Sequence, residues 1–240
     1  MIVEGKNCAY ELLKANYKIE KIILTKETDD KVNEIISLAK FKNVPCEIVD
    51  KKEIEKITKS NHSQGVISFV KPYKYYDLFD ILKSNEKEGK QPFLVLLDGI
   101  TDPHNLGAII RTAECLGVDA VVIPQNRSCE INETVFKTSA GAIAHIKVAQ
   151  VVNLSQTIEK LKDKNIWCYA LEAGNSSLTK ANLTGGIALV VGSEGKGVSR
   201  LVAKTCDDTL SIPMFGQVNS LNASNAAAIA MFEVSKQRNN

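Results

Sequence analysis

The chain has 240 residues, of which 44% are hydrophobic and 24% are charged, and its formal net charge is +2. This length is enough for one large domain or two smaller ones, and the composition excludes a disordered or collagen-like chain. A net charge so close to zero does not by itself indicate a nucleic-acid-binding protein.

The six cysteines are scattered, without a CxxC pair or a neighbouring histidine. This spacing does not fit a zinc ribbon or a small disulfide framework, so we expect no metal and reduced thiols in the cytoplasm. The amino terminus lacks a basic region followed by an apolar run, so no signal peptide is predicted. No apolar stretch approaches the roughly 18 residues that cross a bilayer, so no membrane span is predicted either.

The first seventy residues alternate short strands with amphipathic helices. Helices are predicted over 7–15, 30–38 and 51–58, and strands over 19–25, 44–50 and 65–70. Asp30 is expected to cap the second helix, and Ile54 and Ile57 are expected to point inward from the third. The pattern predicts a small α/β domain over 1–71. The charged segment 72–91, with a helix around 77–82, is predicted to be a linker to a larger domain over 92–240.

From residue 92 onward the predicted strands are continuous apolar runs, which are typical of strands buried on both faces of a parallel sheet. These runs are FLVLLDGI, AVVIP, IWCYAL, GIALVVGS and TLSIPM, and helical patterns over 106–116, 133–139, 154–162, 198–203 and 222–236 lie among or after them. The alternation predicts a doubly wound α/β sheet, in which ligands bind beyond the carboxyl ends of the strands.

The first polar loop after a predicted strand is DGITDPHNLGAIIR, residues 98–111. Asp102 followed by Pro103 is a favourable helix start, and Asn105 lies where its amide can reach a ligand. Arg111 points away from the apolar face of this helix. An ion pair with Glu114, three residues on, is the alternative to a functional role for Arg111.

Two further polar loops follow buried strands. GSEGKG, residues 192–197, has glycines that permit positive φ angles and close backbone approach, but its spacing fits neither the dinucleotide-binding fingerprint nor the phosphate-binding loop. Glu194 supplies a carboxylate there. The third loop, 212–225, crowds amides and hydroxyls into one turn, more than a helix cap needs: Asn219, Ser220, Asn222, Ser224 and Asn225.

Together, the three loops resemble the three motifs of the SpoU (TrmH-like) RNA 2′-O-ribose methyltransferases, in the same order. The stretches that carry the resemblance are DGITDPHNLGAIIRTAECLGVDAVVIP, VVGSEGKGVSRLV and SIPMFGQVNSLNASNAAAIAMFE. EGKNCAYELLKA and NHSQGVIS are similar to the small substrate-binding domain that many members carry. The nearest subgroup methylates a guanosine ribose in large-subunit ribosomal RNA.

The resemblance implies a SPOUT-type α/β domain with a carboxy-terminal trefoil knot, preceded by a small α/β RNA-binding domain. It implies S-adenosylmethionine as cofactor, RNA as partner and a homodimer with active sites at the subunit interface. By motif position, the catalytic candidates are Asn105, Arg111, Glu194, Ser220 and Asn222. Gly192, Ile212 and Leu221 match positions whose backbone holds the cofactor.

The resemblance implies that Arg111 acts as a general base. That role requires a neutral guanidinium, which costs roughly 7 kcal/mol at pH 7. We therefore favour binding of the adjacent phosphate and stabilisation of the developing alkoxide. Three alternatives stay open: a tRNA substrate, a ribosomal methyltransferase that confers antibiotic resistance, and an RNA-binding module without catalysis. A dinucleotide-dependent oxidoreductase is disfavoured by the loop spacing.

Overall fold

In a computed structural model, the chain is described over residues 1–27, 29–58, 63–218 and 220–239, without the side chains of 174 and 175. The helices and strands of these residues, in chain order, are β1 (Ile2–Glu4), α1 (Lys6–Lys14), β2 (Ile19–Thr25), α2 (Asp30–Phe41), β3 (Cys46–Val49), α3 (Lys51–Thr58), β4 (Val66–Val70), α4 (Leu78–Lys87), β5 (Phe93–Asp98), α5 (Pro103–Cys115), β6 (Ala120–Pro124), α6 (Glu133–Thr138), β7 (Lys147–Val151), α7 (Leu154–Lys162), β8 (Trp167–Ser177), β9 (Ile187–Gly192), α8 (Arg200–Thr205), β10 (Asp208–Ser211) and α9 (Ala223–Asn239).

The elements divide between two compact units. The first comprises Met1–Lys74 with Glu130–His145, and the second comprises Tyr75–Cys129 with Ile146–Asn240. We still propose a small domain over 1–71, a linker over 72–91 and a larger domain over 92–240. The compact units differ from these ranges in that residues 130–145 pack with the first unit.

The first unit is built on a mixed sheet in the order β1-β4-β2-β3. β2 runs parallel to β3 and antiparallel to β4, which is antiparallel to β1. One core, which includes Leu13, Ile22 and Ile35, lies under α1 and α2. A smaller core joins Ile54 of α3 to the sheet. The predicted small α/β fold is confirmed.

Two local predictions in this unit are wrong. Asp29, not Asp30, caps α2, because its side chain accepts a hydrogen bond from the Val32 amide at 2.9 Å. Ile57 is 37% exposed, whereas Ile54 is fully buried. Ile57 lies three residues after Ile54 on a short helix that covers little of the sheet, so only one of the two reaches the core. The short edge strand β1 was not predicted.

The segment 130–145 packs within the first unit through side-chain contacts around α6. The Cys8 thiol donates to the Phe136 carbonyl at 3.5 Å, and the rings of Tyr17 and Phe136 meet edge to face with centroids 5.6 Å apart. Lys137 pairs with Glu4 at 2.6 Å. These long-range contacts explain why this stretch groups with residues distant in sequence.

The second unit contains a parallel sheet in the order β10-β8-β9-β5-β6-β7. On one face, α4, α7 and α8 bury alternate strand residues such as Leu94 and Val190. The intervening residues, such as Val95 and Leu189, are also fully buried. They point to the opposite face, where α5 and α9 contact the sheet and each other. The prediction of a parallel sheet with helices on both faces is confirmed.

The predicted linker contains a helix that belongs to the second unit. The Asp77 side chain accepts hydrogen bonds from the amides of Phe79 and Asp80, which starts α4. Leu78, Ile81 and Leu82 are buried in the core of the sheet. α4 ends at Lys87, five residues beyond the expected 77–82. Among the described residues, no helix is both long and apolar enough to cross a membrane.

Candidate active site

Three side chains from the three polar loops form one hydrogen-bonded network in the second unit. Asn105 donates from Nδ2 to Oε1 of Glu194 at 3.3 Å, and Asn222 donates from Nδ2 to Oδ1 of Asn105 at 3.0 Å. The Asn222 amide also donates to Glu194. The network joins one catalytic candidate from each motif, at the carboxyl-end loops of neighbouring strands β5 and β9 and at the start of α9.

Local sequence explains how Asn105 and Asn222 reach this position. Asp102 accepts from the His104 amide at 3.0 Å and Pro103 occupies the first turn, so α5 begins where the sequence predicted and Asn105 lies in its first turn. The Asn222 Oδ1 atom accepts from the backbone and hydroxyl of Ser224, at 2.9 and 2.6 Å. Asn222 therefore caps α9 with its oxygen and joins the network with its nitrogen. Asn219, from the same predicted cluster, lies outside the described residues.

The glycine-rich loop after β9 folds back on itself. Ser193 and Gly197 exchange backbone hydrogen bonds of 3.1 and 2.9 Å. Gly195 and Gly197 have φ angles of +79° and +64°, as the sequence suggested. Gly192 is required for a different reason: a Cβ atom there would lie 2.0 Å from the Gly197 carbonyl carbon. The loop thus needs glycine for both conformation and close approach.

Two carboxylates that sequence reasoning missed hold the end of this loop. Glu172 Oε1 accepts from the Val198 amide at 2.7 Å, and Asp98 Oδ2 accepts from the Ser199 amide at 2.7 Å. The backbone of Ser199 is extended (φ −62°, ψ 143°), so α8 begins at Arg200 rather than at the predicted residue 198. Both acids follow apolar strand runs directly, and this position is the signal that could have identified them.

A cavity of about 580 Å³ lies beside the network, and Glu194 belongs to both. The cavity is lined by the three predicted cofactor residues Gly192, Ile212 and Leu221, by the catalytic candidates Glu194 and Ser220, and by Leu171, Glu172, Ala173, Val191, Ser193, Gly195, Lys196, Gly197, Leu210, Ser211, Met214, Ala223 and Ala226. Its size is that of small-molecule sites. The open backbone of the glycine loop supplies the donors and acceptors that an adenosyl group requires, so these residues fit S-adenosylmethionine.

Arg111 stands apart from this network. It is exposed on α5, opposite the buried Ile109 and Ala113. Within the described part of the chain it has no hydrogen bond or ion pair, and the alternative pairing with Glu114 is not formed. Its guanidinium is therefore free to meet a ligand. Among the described residues, no cluster of three His, Cys, Asp or Glu side chains is arranged to hold a metal ion.

Comparisons with known proteins cover nearly the whole chain. The SpoU rRNA Methylase family model matches residues 92–232, and the model for RNA 2′-O ribose methyltransferase substrate binding matches residues 2–76. YacO of Bacillus subtilis (strain 168), whose name assigns it to the TrmH family of tRNA/rRNA methyltransferases, is 41% identical over 240 residues. That alignment covers 99% of this chain and 96% of YacO.

Two solved structures show the same fold at low sequence identity. The SpoU methyltransferase AviRb from Streptomyces viridochromogenes, in complex with AdoMet, has a TM-score of 0.81 at 21% identity, covering 99% of this chain and 90% of AviRb. The AdoMet-bound rRNA methyltransferase from Sinorhizobium meliloti has a TM-score of 0.79 at 22% identity, covering 98% and 86%. Since one family model matches more than half of the chain and a relative is 41% identical over its length, the chain belongs to the SpoU family of S-adenosylmethionine-dependent RNA 2′-O-ribose methyltransferases.

Proposed function

We propose that this enzyme methylates the ribose 2′-OH of one guanosine in 23S ribosomal RNA. The observation that carries the proposal is the contact of Asn105, Glu194 and Asn222 beside the cavity. Amide and carboxylate groups there can orient a hydroxyl that faces the cofactor. S-adenosylmethionine, when bound, supplies an activated methyl group on a sulfonium.

The protein contributes mainly by alignment of the hydroxyl with the methyl carbon. Such orientation can contribute roughly 7–11 kcal/mol to lowering a barrier. We assign this work to Asn105, Asn222 and Ser220. Glu194 keeps the two asparagine amides in register by accepting hydrogen bonds from both. Gly192, Ile212 and Leu221 hold the cofactor through their backbone.

Arg111 is proposed to bind a phosphate next to the target ribose and to stabilise the alkoxide as it forms. Its exposure and its lack of partners among the described residues support this role. A guanidinium can contact a phosphate through two parallel hydrogen bonds. The hydroxyl proton then leaves to water.

Ribosomal RNA is favoured over tRNA as the substrate because a family model and a solved structure that each match more than half of this chain are named for rRNA. A structure described as an rRNA methyltransferase matches 98% of this chain, including the first unit, and the name of the matching family model refers to rRNA. A tRNA substrate is the second candidate, since the name of YacO covers both RNA classes. The hydrogen-bonded network argues against a module without catalysis.

Mapping of ribose methylation across all rRNA and tRNA, in cells with and without this protein, tests the assignment. We expect the loss of one guanosine mark in 23S rRNA and its return with the wild-type gene. A lost tRNA mark with intact rRNA would overturn the substrate. Unchanged antibiotic susceptibility in the deletion strain separates a housekeeping role from a resistance role.

We also propose a homodimer that forms through exposed apolar side chains of α9 and of the segment before it. Phe232 of α9 is 58% exposed, and Phe215 and Val218 of the preceding segment are 97% and 74% exposed. The proposal is that they form one contiguous apolar patch, which is the kind of surface that marks association sites.

We further propose a carboxy-terminal trefoil knot and a cytoplasmic location. The knot is supported by β10 lying at the sheet edge while α9 contacts β9 and α5. Ile212, Met214, Ser220 and Leu221 line the same cavity as the glycine loop, so we place the knot there.

A further inference from the structure

Glu172 makes three contacts within the second unit that the family motifs do not include. Its Oε1 atom accepts a hydrogen bond from the Val198 amide at 2.7 Å, and Glu172 is one of the residues that line the cavity. It also packs closely against the glycine loop, because a Cβ atom on Gly197 would lie 2.6 Å from Oε1. The carboxylate is therefore fixed in place beside the ligand space.

Three charged side chains line the cavity: Glu172, Glu194 and Lys196. Glu194 and Lys196 are exposed, whereas Glu172 is partly buried. Glu194 also accepts hydrogen bonds from Asn105 and Asn222. Glu172 has no ion pair with any described Lys, Arg or His. Two carboxylates against one ammonium leave the lining side chains with a formal charge of −1. Glu172 is the least exposed of the three, and solvent screens exposed charges more than buried ones, so its charge is the least screened.

The two ligands that must alternate in this cavity differ in charge. Methyl transfer breaks the bond between sulfur and the methyl carbon and forms a bond from that carbon to the ribose oxygen. Sulfur keeps the bonding pair and becomes a neutral thioether, and the hydroxyl proton goes to water. The donor thus carries one positive charge that the product lacks, while the adenosyl and amino-acid groups of both are the same.

We propose that Glu172 is a specificity-determining residue that makes the cavity prefer the cationic methyl donor to the neutral product. This inference rests on the proposed function. A fixed negative charge stabilises S-adenosylmethionine and leaves the thioether of S-adenosylhomocysteine without the same attraction. Loss of the sulfonium charge during turnover then weakens binding and favours product release.

The size of the preference follows from the dimensions of the cavity. A volume of about 580 Å³ corresponds to a space about 10 Å across, and we take this length as the separation between the Glu172 carboxylate and a bound sulfonium. At about 10 Å and an effective dielectric constant of about 20, one charge pair changes an affinity by about tenfold.

Calorimetric titration of the full chain with S-adenosylmethionine and with S-adenosylhomocysteine tests the proposal. Glu172→Gln keeps an oxygen that can accept from the Val198 amide but removes the charge. It should lower the donor-to-product affinity ratio by about tenfold, mainly through weaker donor binding. Glu172→Asp keeps the charge and should retain most of the preference. Glu159→Gln, at an exposed position of α7 outside the cavity, is the matched control and should leave the ratio unchanged.

The possible outcomes separate this inference from the proposed function. If Glu172→Gln weakens both ligands equally, Glu172 only holds the loop, and the inference is wrong while the function stands. If the wild-type protein binds neither ligand, the proposed function fails and the inference fails with it. The proposal is supported if the donor-to-product affinity ratio falls in Glu172→Gln but not in Glu172→Asp. It is contradicted if the ratio falls equally in both variants.

Discussion

Asn222 donates a hydrogen bond to Asn105 at 3.0 Å, although the two residues lie 117 positions apart in the chain. The other end of the same Asn222 amide caps α9. The start of the last helix and the candidate active site therefore share one side chain. Most substitutions of Asn222 should therefore affect both the stability of α9 and the geometry of the network. A substitution that keeps the capping oxygen but removes the donor nitrogen should affect only the network.

Asn222→Asp is expected to separate them. Aspartate can still cap α9 through its carboxylate, but it cannot donate to Asn105 and it repels Glu194. We expect methyl transfer to fall by about a hundredfold, with the free energy of unfolding within about 1 kcal/mol of wild type. Single-turnover methylation and urea unfolding measure the two quantities. Asn222→Ala is the comparison, since it should lose activity and also about 1 kcal/mol of capping. Near-normal activity in Asn222→Asp would remove the network from catalysis.

Arg111→Lys is expected to keep measurable activity. Lysine can still bind a phosphate as a point charge, although it lacks the planar fork, so we expect a loss of about tenfold to a hundredfold. The pH–rate profile should not shift, because the residue is not the group that takes the proton. Arg200→Lys, at an exposed position of α8, is the matched control. A kinetic pKa that falls sharply in Arg111→Lys would establish Arg111 as the base.

Gly197→Ala is expected to disturb the loop that lines the cavity. Alanine at φ +64° is strained, and its Cβ would lie 2.6 Å from Glu172 Oε1. We expect a loss of about 1–3 kcal/mol in unfolding free energy and weaker cofactor binding. Gly89→Ala is a close control, since Gly89 has a φ of +66° with nothing within 4 Å. Chemical unfolding and calorimetry give the unfolding free energy and the cofactor affinity of both variants, and their difference isolates the contact with Glu172. Equal losses of unfolding free energy in Gly197→Ala and Gly89→Ala would mean that this contact is unimportant.

Alkaline pH is expected to destabilise the protein through its buried thiols. Burial raises the pKa of Cys206 from 9.0 to about 12, with a further contribution from Asp207, and burial likewise raises the pKa of Cys8 to about 12. Above pH 9 the unfolded chain releases protons that the folded protein retains. The stabilisation is therefore complete below pH 9 and is lost as the pH rises toward 12.

Urea unfolding under reducing conditions at pH 7.5, 9 and 10 measures this loss. Cys206→Ala should be less stable than wild type at pH 7.5, because buried atoms are removed. Its stability should nevertheless decline less steeply with pH. Parallel declines in the two proteins would contradict a contribution from Cys206.

Phe232→Asp is expected to convert the proposed dimer into a monomer. The residue is 58% exposed on α9, so a charge there should leave the fold of one subunit intact while opposing an apolar interface. Sedimentation velocity gives the oligomeric state and circular dichroism verifies the fold. Glu159→Gln serves again as a surface control. A monomeric wild-type protein, or a dimeric variant, would disprove this interface.

The local pattern of the chain determined most of its elements and the family. Continuous apolar runs identified strands such as β5 and β9 because strands of a parallel sheet are buried on both faces. Asp102 and Pro103 marked the start of α5, since capping and the proline φ angle are properties of a few adjacent residues. The three motifs identified the family for the same reason: each is a short stretch that can be read without its neighbours in space.

Contacts between distant residues were decided by the tertiary structure alone. The sequence indicated that Asn105, Glu194 and Asn222 were important. It did not show that the side chain of Asn222 caps α9 and also donates to Asn105 and Glu194. It did not reveal that Glu172 and Asp98 hold consecutive amides, or that 130–145 packs with the first unit. Such pairings depend on where strands and helices lie after folding, because hydrogen bonds and burial act over a few ångströms of space, regardless of separation along the chain.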